Sequence, residues 1–249
     1  MHILMAVFFK ASHGGLHENI LATARFLIAN GHQATIVCPA GPFSDSLVGH
    51  GIGVIRTDFS DQASTLEAVL KIHSAQPFDL VYAHPFAART FGQAVADRLY
   101  IPFILTLHGK YTDDLARYID KVAAVLTVSP GIRDFLQGEN VGVPEKFHVV
   151  PNVPDTELFK PLGVKPRIDD GRLQVALVSR LDKDKAFILD VFADAVEYAG
   201  THYVGKVAWV VVGDGTHSDE FRTRLGALRG DNTLEFSGWL EGEALRDAY

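Results

Sequence analysis

Uninterrupted apolar runs, spaced along the chain and separated by amphipathic stretches, constrain the fold more than any other feature of this sequence. The runs cover residues 3–9, 35–38, 80–83, 103–107 and 122–128, with a shorter one at 148–150. Parallel strands that are covered on both faces have this character. Strands that alternate with helices over short connections predict a doubly wound α/β domain.

The clearest amphipathic stretch covers residues 18–30. One stripe of this stretch consists of apolar side chains, namely Ile20, Leu21, Ala24, Leu27 and Ile28. The stripe predicts a helix that packs on the sheet, and Gly31 stands where a helix end requires a positive φ. Residues 65–75, 87–99 and 132–137 repeat the pattern and predict further helices.

The chain is predicted to contain two domains joined by a linker. Apolar periodicity fails over residues 151–171, which contain four prolines. We therefore assign residues 1–150 to a first Rossmann-like domain and 172–249 to a second, with strands near 173–178, 207–212 and 234–236 and helices near 187–199 and 219–229. Because three strands are few for an independent open α/β domain, we expect the second domain to be incomplete.

Composition excludes several classes of function. The net charge of −7 leaves no global attraction for nucleic acid. A lone cysteine, Cys38, excludes an intrachain disulfide and a multi-cysteine metal site, and it favours a reducing compartment. The apolar opening MHILMAVFF lacks a basic flank and is too short to span a bilayer, so we expect a buried strand there.

A candidate phosphate site lies at the start of the second domain. The buried-type strand in residues 175–199 breaks into Ser179, Arg180 and Lys185 before a helix. A strand end, two cations and a helix start suit a bound phosphate. In the alternative interpretation, Asp182 and Asp184 pair with the two cations in a solvated turn.

A glycine turn follows the first predicted strand. It reads Lys10, Ser12 and His13 and then Gly14 and Gly15 before the helix. Glycine at this place lets the backbone approach an anion. The pattern departs from GxGxxG, and a tight turn without a ligand is the alternative.

Two histidines end strands in the first domain, at the edge where open parallel sheets bind their ligands. His108 follows the strand at 103–107, and a functional role and a structural role are equally open for it. For His84 we favour a structural role. The nearest metal-type pair, His13 and His17, spans the glycine turn, so no metal site is expected.

These segments occur in an order that resembles the retaining glycosyltransferases of family 4, over essentially the whole chain. The matching segments are GGLHENILATARFLIANGHQATIVCP, FDLVYAH, IPFILTLHG, VLTVSPGIRDFL, KFHVVPNVPDTELFKP, SRLDKDK, VVGDGT and LEFSGWLEGEALRDAY. The resemblance implies the GT-B fold, in which two Rossmann-like domains are present and a nucleotide-sugar donor binds mainly to the second. It also implies transfer of the sugar with retention at its anomeric carbon.

The resemblance implies a role for each candidate residue. Arg180 and Lys185 resemble the pair that neutralises the donor diphosphate as it leaves, and His108 resembles the histidine beside the transferred sugar. The remaining donor-binding positions are implied to be Gly14, Gly15, Gly213, Gly215 and Trp239. No cofactor and no metal are implied.

The resemblance also implies partners and a location. A nucleotide-sugar donor is implied, with an acceptor that is a saccharide, a lipid-linked molecule or a small molecule, and no nucleic acid. The location implied is cytoplasmic, and contact with the inner face of a membrane stays an open alternative.

The chain departs from the family pattern at several positions. Ser179 and Ala186 replace glycines, and Val153 stands where a glycine often follows the asparagine. The family's glutamate motif, which holds the donor sugar and ribose, lies beyond Tyr249, so we expect part of the donor site to be missing. Two alternatives therefore stay open: a catalytically impaired fragment or binding remnant, for which the missing C-terminal segment is a partner chain, and a GT-B sugar-nucleotide epimerase.

Overall fold

The computed structural model describes residues 1–9, 14–84, 87–110, 112, 115–160 and 171–249. The chain divides into two compact units, Met1–Val153 and Pro154–Tyr249. The division falls within residues 151–171, and part of that stretch, 161–170, lies outside the described residues.

The first unit contains a seven-stranded, fully parallel sheet. Its strands are β1 (His2–Ala6), β2 (Gln33–Cys38), β3 (Gly53–Arg56), β4 (Leu80–Ala83), β5 (Phe103–Leu107), β6 (Ala124–Thr127) and β7 (Phe147–Val149). Its helices are α1 (Gly15–Ala29), α2 (Pro42–Gly49), α3 (Gln62–Ala75), α4 (Ala87–Leu99) and α5 (Pro130–Gly138). The order β3-β2-β1-β4-β5-β6-β7 reverses direction at β1, which defines a topological switch point between β1 and β4.

Both faces of this sheet are buried, as the apolar runs predict. Successive side chains of a strand point to opposite faces. In β1, Leu4 and Ala6 pack into one core cluster, whereas Ile3 and Met5 pack into another. The predicted stripe on α1 is buried at Ile20 and Ala24, but Ile28 in the last turn is 41% exposed. Gly31 has a φ of +77°, as predicted for the residue that ends this helix.

The second unit contains a three-stranded parallel sheet of order β10-β9-β8. Its elements are β8 (Leu173–Val178), α6 (Ala186–His202), β9 (Val207–Val212), α7 (Ser218–Leu228), β10 (Thr233–Gly238) and α8 (Gly242–Ala248). Its core packs α6 and α7 against the sheet around Trp209, Val211 and Phe221. Buried Asn232 accepts a hydrogen bond from the Val207 amide (3.1 Å) and donates one to the Ala199 carbonyl (3.0 Å), which joins the helix to the sheet.

The structure therefore has the predicted fold class, α/β with two parallel sheets of Rossmann-like topology. Three elements were not predicted: α2, which begins at Pro42, β3, a four-residue edge strand, and α8, which begins at Gly242. All three are too short to produce a periodic apolar signal. Within the described ranges, no helix is both long and apolar enough to cross a membrane.

Candidate functional site

The candidate residues of the first unit lie at the carboxyl edge of its sheet. Gly14 and Gly15 begin α1 after β1, His84 follows β4 and His108 follows β5. Since β1, β4 and β5 are neighbouring parallel strands, these residues lie beside the topological switch point. The backbone amide of His84 donates to the carbonyl of Ala6 (2.9 Å), which joins the end of β4 to the end of β1. Open α/β sheets bind their ligands at this place.

The structure explains the glycine at position 14 but not the glycine at position 15. Gly14 has a φ of +145°, a conformation that favours glycine, and its carbonyl accepts the amides of His17 and Glu18 at 2.9 and 3.3 Å. At Gly15, by contrast, a Cβ would meet no atom within 4 Å among the residues described. Packing against the described residues therefore does not explain why position 15 lacks a side chain. Lys10, Ser12 and His13 lie outside the described residues.

The two strand-end histidines contact each other. Nδ1 of His84 lies 3.2 Å from Nε2 of His108, and the rings stack with centroids 5.5 Å apart and planes inclined by 20°. His84 is completely buried, whereas His108 is partly exposed. His84, which was predicted to be structural, thus directly contacts His108, for which the family resemblance implies a function. Because His84 and His108 end neighbouring strands, the sheet order is the signal that would have revealed the pair.

The surroundings keep both imidazoles neutral. Burial, together with the charge of Arg89, lowers the pKa of His108 to about 4. The pKa of His84 lies well below its ordinary value, chiefly because of burial and also because of His108 and Arg89. Arg89 itself is buried on α4, with 1% of its surface exposed, and no sequence pattern indicated this. At neutral pH the two rings therefore share one hydrogen bond and carry no charge.

The candidate residues of the second unit also follow strands. Arg180 and Lys185 follow β8, Gly213 and Gly215 follow β9, and Trp239 follows β10. All three strands are parallel, so these positions share the carboxyl edge of the sheet. Trp239 donates from Nε1 to Oε1 of Glu241 at 2.7 Å.

Arg180 and Lys185, the two predicted cations, differ in their ion pairing. Arg180 donates from Nη1 to Asp182 (2.6 Å) and from Nη2 to Asp184 (2.8 Å). For Arg180 the alternative interpretation of the sequence, pairing with these carboxylates, describes what is observed. For Lys185 it is wrong, because the ammonium group of Lys185 makes no ion pair among the described residues.

Asp182 joins two loops of this edge, a function that the sequence analysis missed. One of its oxygens accepts from Arg180 and the other accepts from the amide of Thr216 at 3.1 Å. The Thr216 amide is the main cause that lowers the pKa of Asp182, and Arg180 adds to it. The carboxylate therefore fixes Arg180 relative to the loop after β9.

The glycines of that loop are required by the close approach of two chain segments. A Cβ on Gly213, whose φ is +138°, would lie 1.9 Å from the carbonyl oxygen of Ser179. A Cβ on Gly215 would lie 2.5 Å from the carbonyl carbon of Leu181. The Leu181 amide donates a hydrogen bond to the Asp214 carbonyl (3.0 Å), which joins the loops after β8 and β9. The Gly213 amide donates to the Gly238 carbonyl (2.8 Å), which joins the loop after β9 to β10. The loops after β8 and β9 and the carboxyl end of β10 are therefore connected, and we call this edge of the sheet the ledge.

Metal ligation finds no support in this geometry. Within the described part of the chain, no three or more His, Cys, Asp or Glu side chains are grouped so that they could hold a metal ion.

Comparison with solved structures assigns the arrangement to a class. A glycosyltransferase from Rickettsia africae matches with a TM-score of 0.75 at 16% identity, over 97% of this chain and 69% of its own. The Anabaena protein HepE in complex with UDP and glucose matches with a TM-score of 0.69 at 20% identity, over 97% and 70%. Sucrose-phosphate synthase from Thermosynechococcus elongatus matches with a TM-score of 0.70 at 15% identity, over 98% and 72%. The fold is thus that of the GT-B glycosyltransferases.

The sequence assigns the family. The family model of Glycosyltransferase Family 4 matches residues 13–158, more than half of the chain. The chain belongs to this family. No curated protein matches the sequence.

Proposed function

We propose that this protein transfers a sugar from a nucleotide-sugar donor to an acceptor, with retention of configuration at the anomeric carbon. The observation that carries the proposal is the ledge of the second unit, where Arg180 and Lys185 stand at the carboxyl edge of a parallel sheet. A guanidinium and an ammonium at this place suit the diphosphate of a nucleotide sugar.

The cations act on the leaving group. As the bond between the anomeric carbon and the diphosphate oxygen breaks, negative charge increases on the diphosphate. The acceptor oxygen forms the new bond to that carbon, and its proton passes to the departing diphosphate. Positive groups that are already in place stabilise the charge as it develops, without covalent chemistry by the protein.

Arg180 is held in place before any donor binds. Its two carboxylate contacts use two of the five N–H donors of the guanidinium. The contact with Asp184 lies at the exposed end of the turn, where the carboxylate side chain is 57% exposed. We infer that a diphosphate displaces Asp184, while Asp182 keeps the guanidinium in position.

Lys185 supplies the second cationic contact in this proposal, because its ammonium has no carboxylate partner among the described residues. For the first unit by itself, the proposal assigns a phosphate contact to Gly15, where a Cβ would meet no described atom within 4 Å at the start of α1. A helix start with exposed amides favours an anion. Gly213 and Gly215 contribute indirectly, because they allow the ledge to form.

UDP and UDP-glucose are the first probes to test, since HepE is described in complex with both. Lys185→Ala is the informative variant and Lys183→Ala is its matched control, because the two lysines belong to the same 3-10 turn, Lys183–Lys185. Loss of a charge-assisted contact weakens UDP binding by about 10-fold to 150-fold. Lys183→Ala is expected to stay within about twofold. Equal UDP affinity of the Lys185→Ala variant and the wild type, measured by calorimetry, contradicts the assignment.

The stereochemistry is tested by donor hydrolysis, in which water replaces the unidentified acceptor. Proton NMR identifies the first glucose anomer released from UDP-glucose. Retention predicts the α-anomer, as in the donor. Initial release of the β-anomer would refute the retaining mechanism.

A further inference from the structure

The buried histidine pair in the first unit suggests a function for His84 that the family assignment does not provide. In a contact between two neutral imidazoles, one nitrogen donates and the other accepts. The 3.2 Å contact between Nδ1 of His84 and Nε2 of His108 therefore couples the tautomers of the two rings. Only two arrangements are consistent with it.

In the first arrangement, Nδ1–H of His84 donates to Nε2 of His108. The proton of His108 is then on Nδ1, and Nε2 of His84 is an unprotonated acceptor. In the second arrangement, Nε2–H of His108 donates to Nδ1 of His84. The proton of His84 is then on its own Nε2.

The burial of His84 distinguishes the two arrangements. Its Nε2 is buried and has no hydrogen-bond partner in the part of the chain that the structure describes. Buried N–H groups without an acceptor are rarer in proteins than buried acceptors with an unfilled lone pair. The second arrangement requires such an N–H, whereas the first leaves only a lone pair.

We propose that His84 is a positioning residue that donates from Nδ1 to His108 and thereby fixes His108 as the Nδ1–H tautomer. In this form the N–H of His108 is on Nδ1, because Nε2 accepts the hydrogen bond from His84. That this donor serves an oxygen of the transferred sugar rests on the proposed function. The tautomer itself does not.

Arg89 supports this arrangement. Its buried guanidinium lies close enough to disfavour a positive charge on either ring. Protonation of the pair, which would make both nitrogens of one ring donors, is therefore opposed. His108 acts in this proposal as a hydrogen-bond donor rather than as an acid.

The experiment is a long-range ¹H–¹⁵N NMR spectrum of the full chain labelled at histidine, recorded at neutral pH. The pair is assigned with the variants His84→Asn and His108→Asn. We expect a protonated Nδ1 on His108 and a protonated Nδ1 on His84 as the predominant forms. Protonated Nε2 on both rings overturns the proposal.

Two variants of His84 separate positioning from mere packing. In His84→Asn the side-chain amide keeps an N–H near the place of Nδ1, whereas His84→Leu removes the donor. We expect His108 to stay in the Nδ1–H form in His84→Asn and to admit the Nε2–H form in His84→Leu. An unchanged tautomer in a folded His84→Leu variant overturns the proposal, and if that variant does not fold, the wild-type spectrum decides alone.

Kinetics test the link to transfer. We expect His84→Leu to lower kcat for UDP-glucose turnover by at least about tenfold and His84→Asn by less than about threefold, because only the first loses the oriented hydrogen-bond donor. The affinity for UDP, which lacks the transferred glucose, stays unchanged in both variants. Absence of UDP binding in the wild type refutes the proposed function and leaves the tautomer assignment to the spectrum, whereas equal kcat in both variants refutes the positioning role.

Discussion

Gly213 offers a sharp test of how the second unit is held together. Replacing it by alanine places a Cβ 1.9 Å from the carbonyl oxygen of Ser179 and 2.9 Å from its carbonyl carbon. Both are backbone atoms of the loop after β8, so relief requires the two loops to separate. The substitution also forces an L-residue into a φ of +138°.

The magnitude follows from these two terms. Overpacking costs about 1–3 kcal/mol and a sparsely populated backbone conformation costs about 1–3 kcal/mol more. We expect Gly213→Ala to lower the free energy of unfolding of the second unit by about 4 kcal/mol. Gly226→Ala is the matched control, because a Cβ there meets no described atom within 4 Å inside α7, and it should stabilise by about 0.5–1 kcal/mol.

Tryptophan fluorescence isolates the effect. Both tryptophans of the chain, Trp209 and Trp239, belong to the second unit, and Trp209 is buried. Urea unfolding followed by this signal therefore reports on that unit alone. We expect the midpoint of Gly213→Ala to fall by at least about 1 M relative to the wild type. A midpoint equal to that of Gly226→Ala would show that the loops do not depend on this contact.

Three further predictions follow from other sites. Gly15→Ala should not lower the thermal unfolding temperature, because a helix favours alanine over glycine, yet it should weaken UDP-glucose binding by about tenfold where its methyl group meets the donor; unaltered affinity in calorimetry would contradict the role of this turn. The folded-state pKa of His108 is about 4, below the ordinary 6.5. The contribution of neutral His108 to the stability of the first unit is therefore fully present above pH 6.5, and about 3 kcal/mol is lost as the pH falls toward 4. Urea unfolding followed by circular dichroism at several pH values checks this, and the same slope in His108→Asn would refute the attribution. Asn232→Ala leaves the Val207 amide and the Ala199 carbonyl without their partner and should cost the second unit about 2–4 kcal/mol by tryptophan fluorescence, whereas a cost below about 1 kcal/mol would mean that other groups replace it.

The strands could be predicted from the sequence wherever an apolar run is bounded on each side by a polar residue, a proline or a glycine. The bounds of β4, β5, β8 and β9 are the predicted ones, because their runs stop at the sheet's edge. The run at 3–9 continues past the end of β1 at Ala6, because Val7 is still buried although the strand has ended. Apolar character records burial, and burial does not stop where strand geometry stops.

The site was predictable in position but not in its contacts. That Arg180 and His108 follow parallel strands is enough to place them at carboxyl edges. Which carboxylates Arg180 contacts depends on rotamers, since residues two and four positions away are both within reach. The contact between His84 and His108 required the order of β4 and β5 in the sheet, which no local pattern contains.

The ledge of the second unit has a consequence for how the protein diverges from its relatives. Its loops are joined mainly through backbone atoms, such as the Gly213 amide and the Gly238 carbonyl, so they do not depend on the identity of most side chains above them. Substitutions at Lys185 and Trp239 can therefore accumulate while the loops keep their shape. Gly213 allows no such variation, because the carbonyl group of Ser179 occupies the space that a side chain would need. Substitutions at the carboxyl edge of this sheet thus have single-step routes that keep the second unit folded.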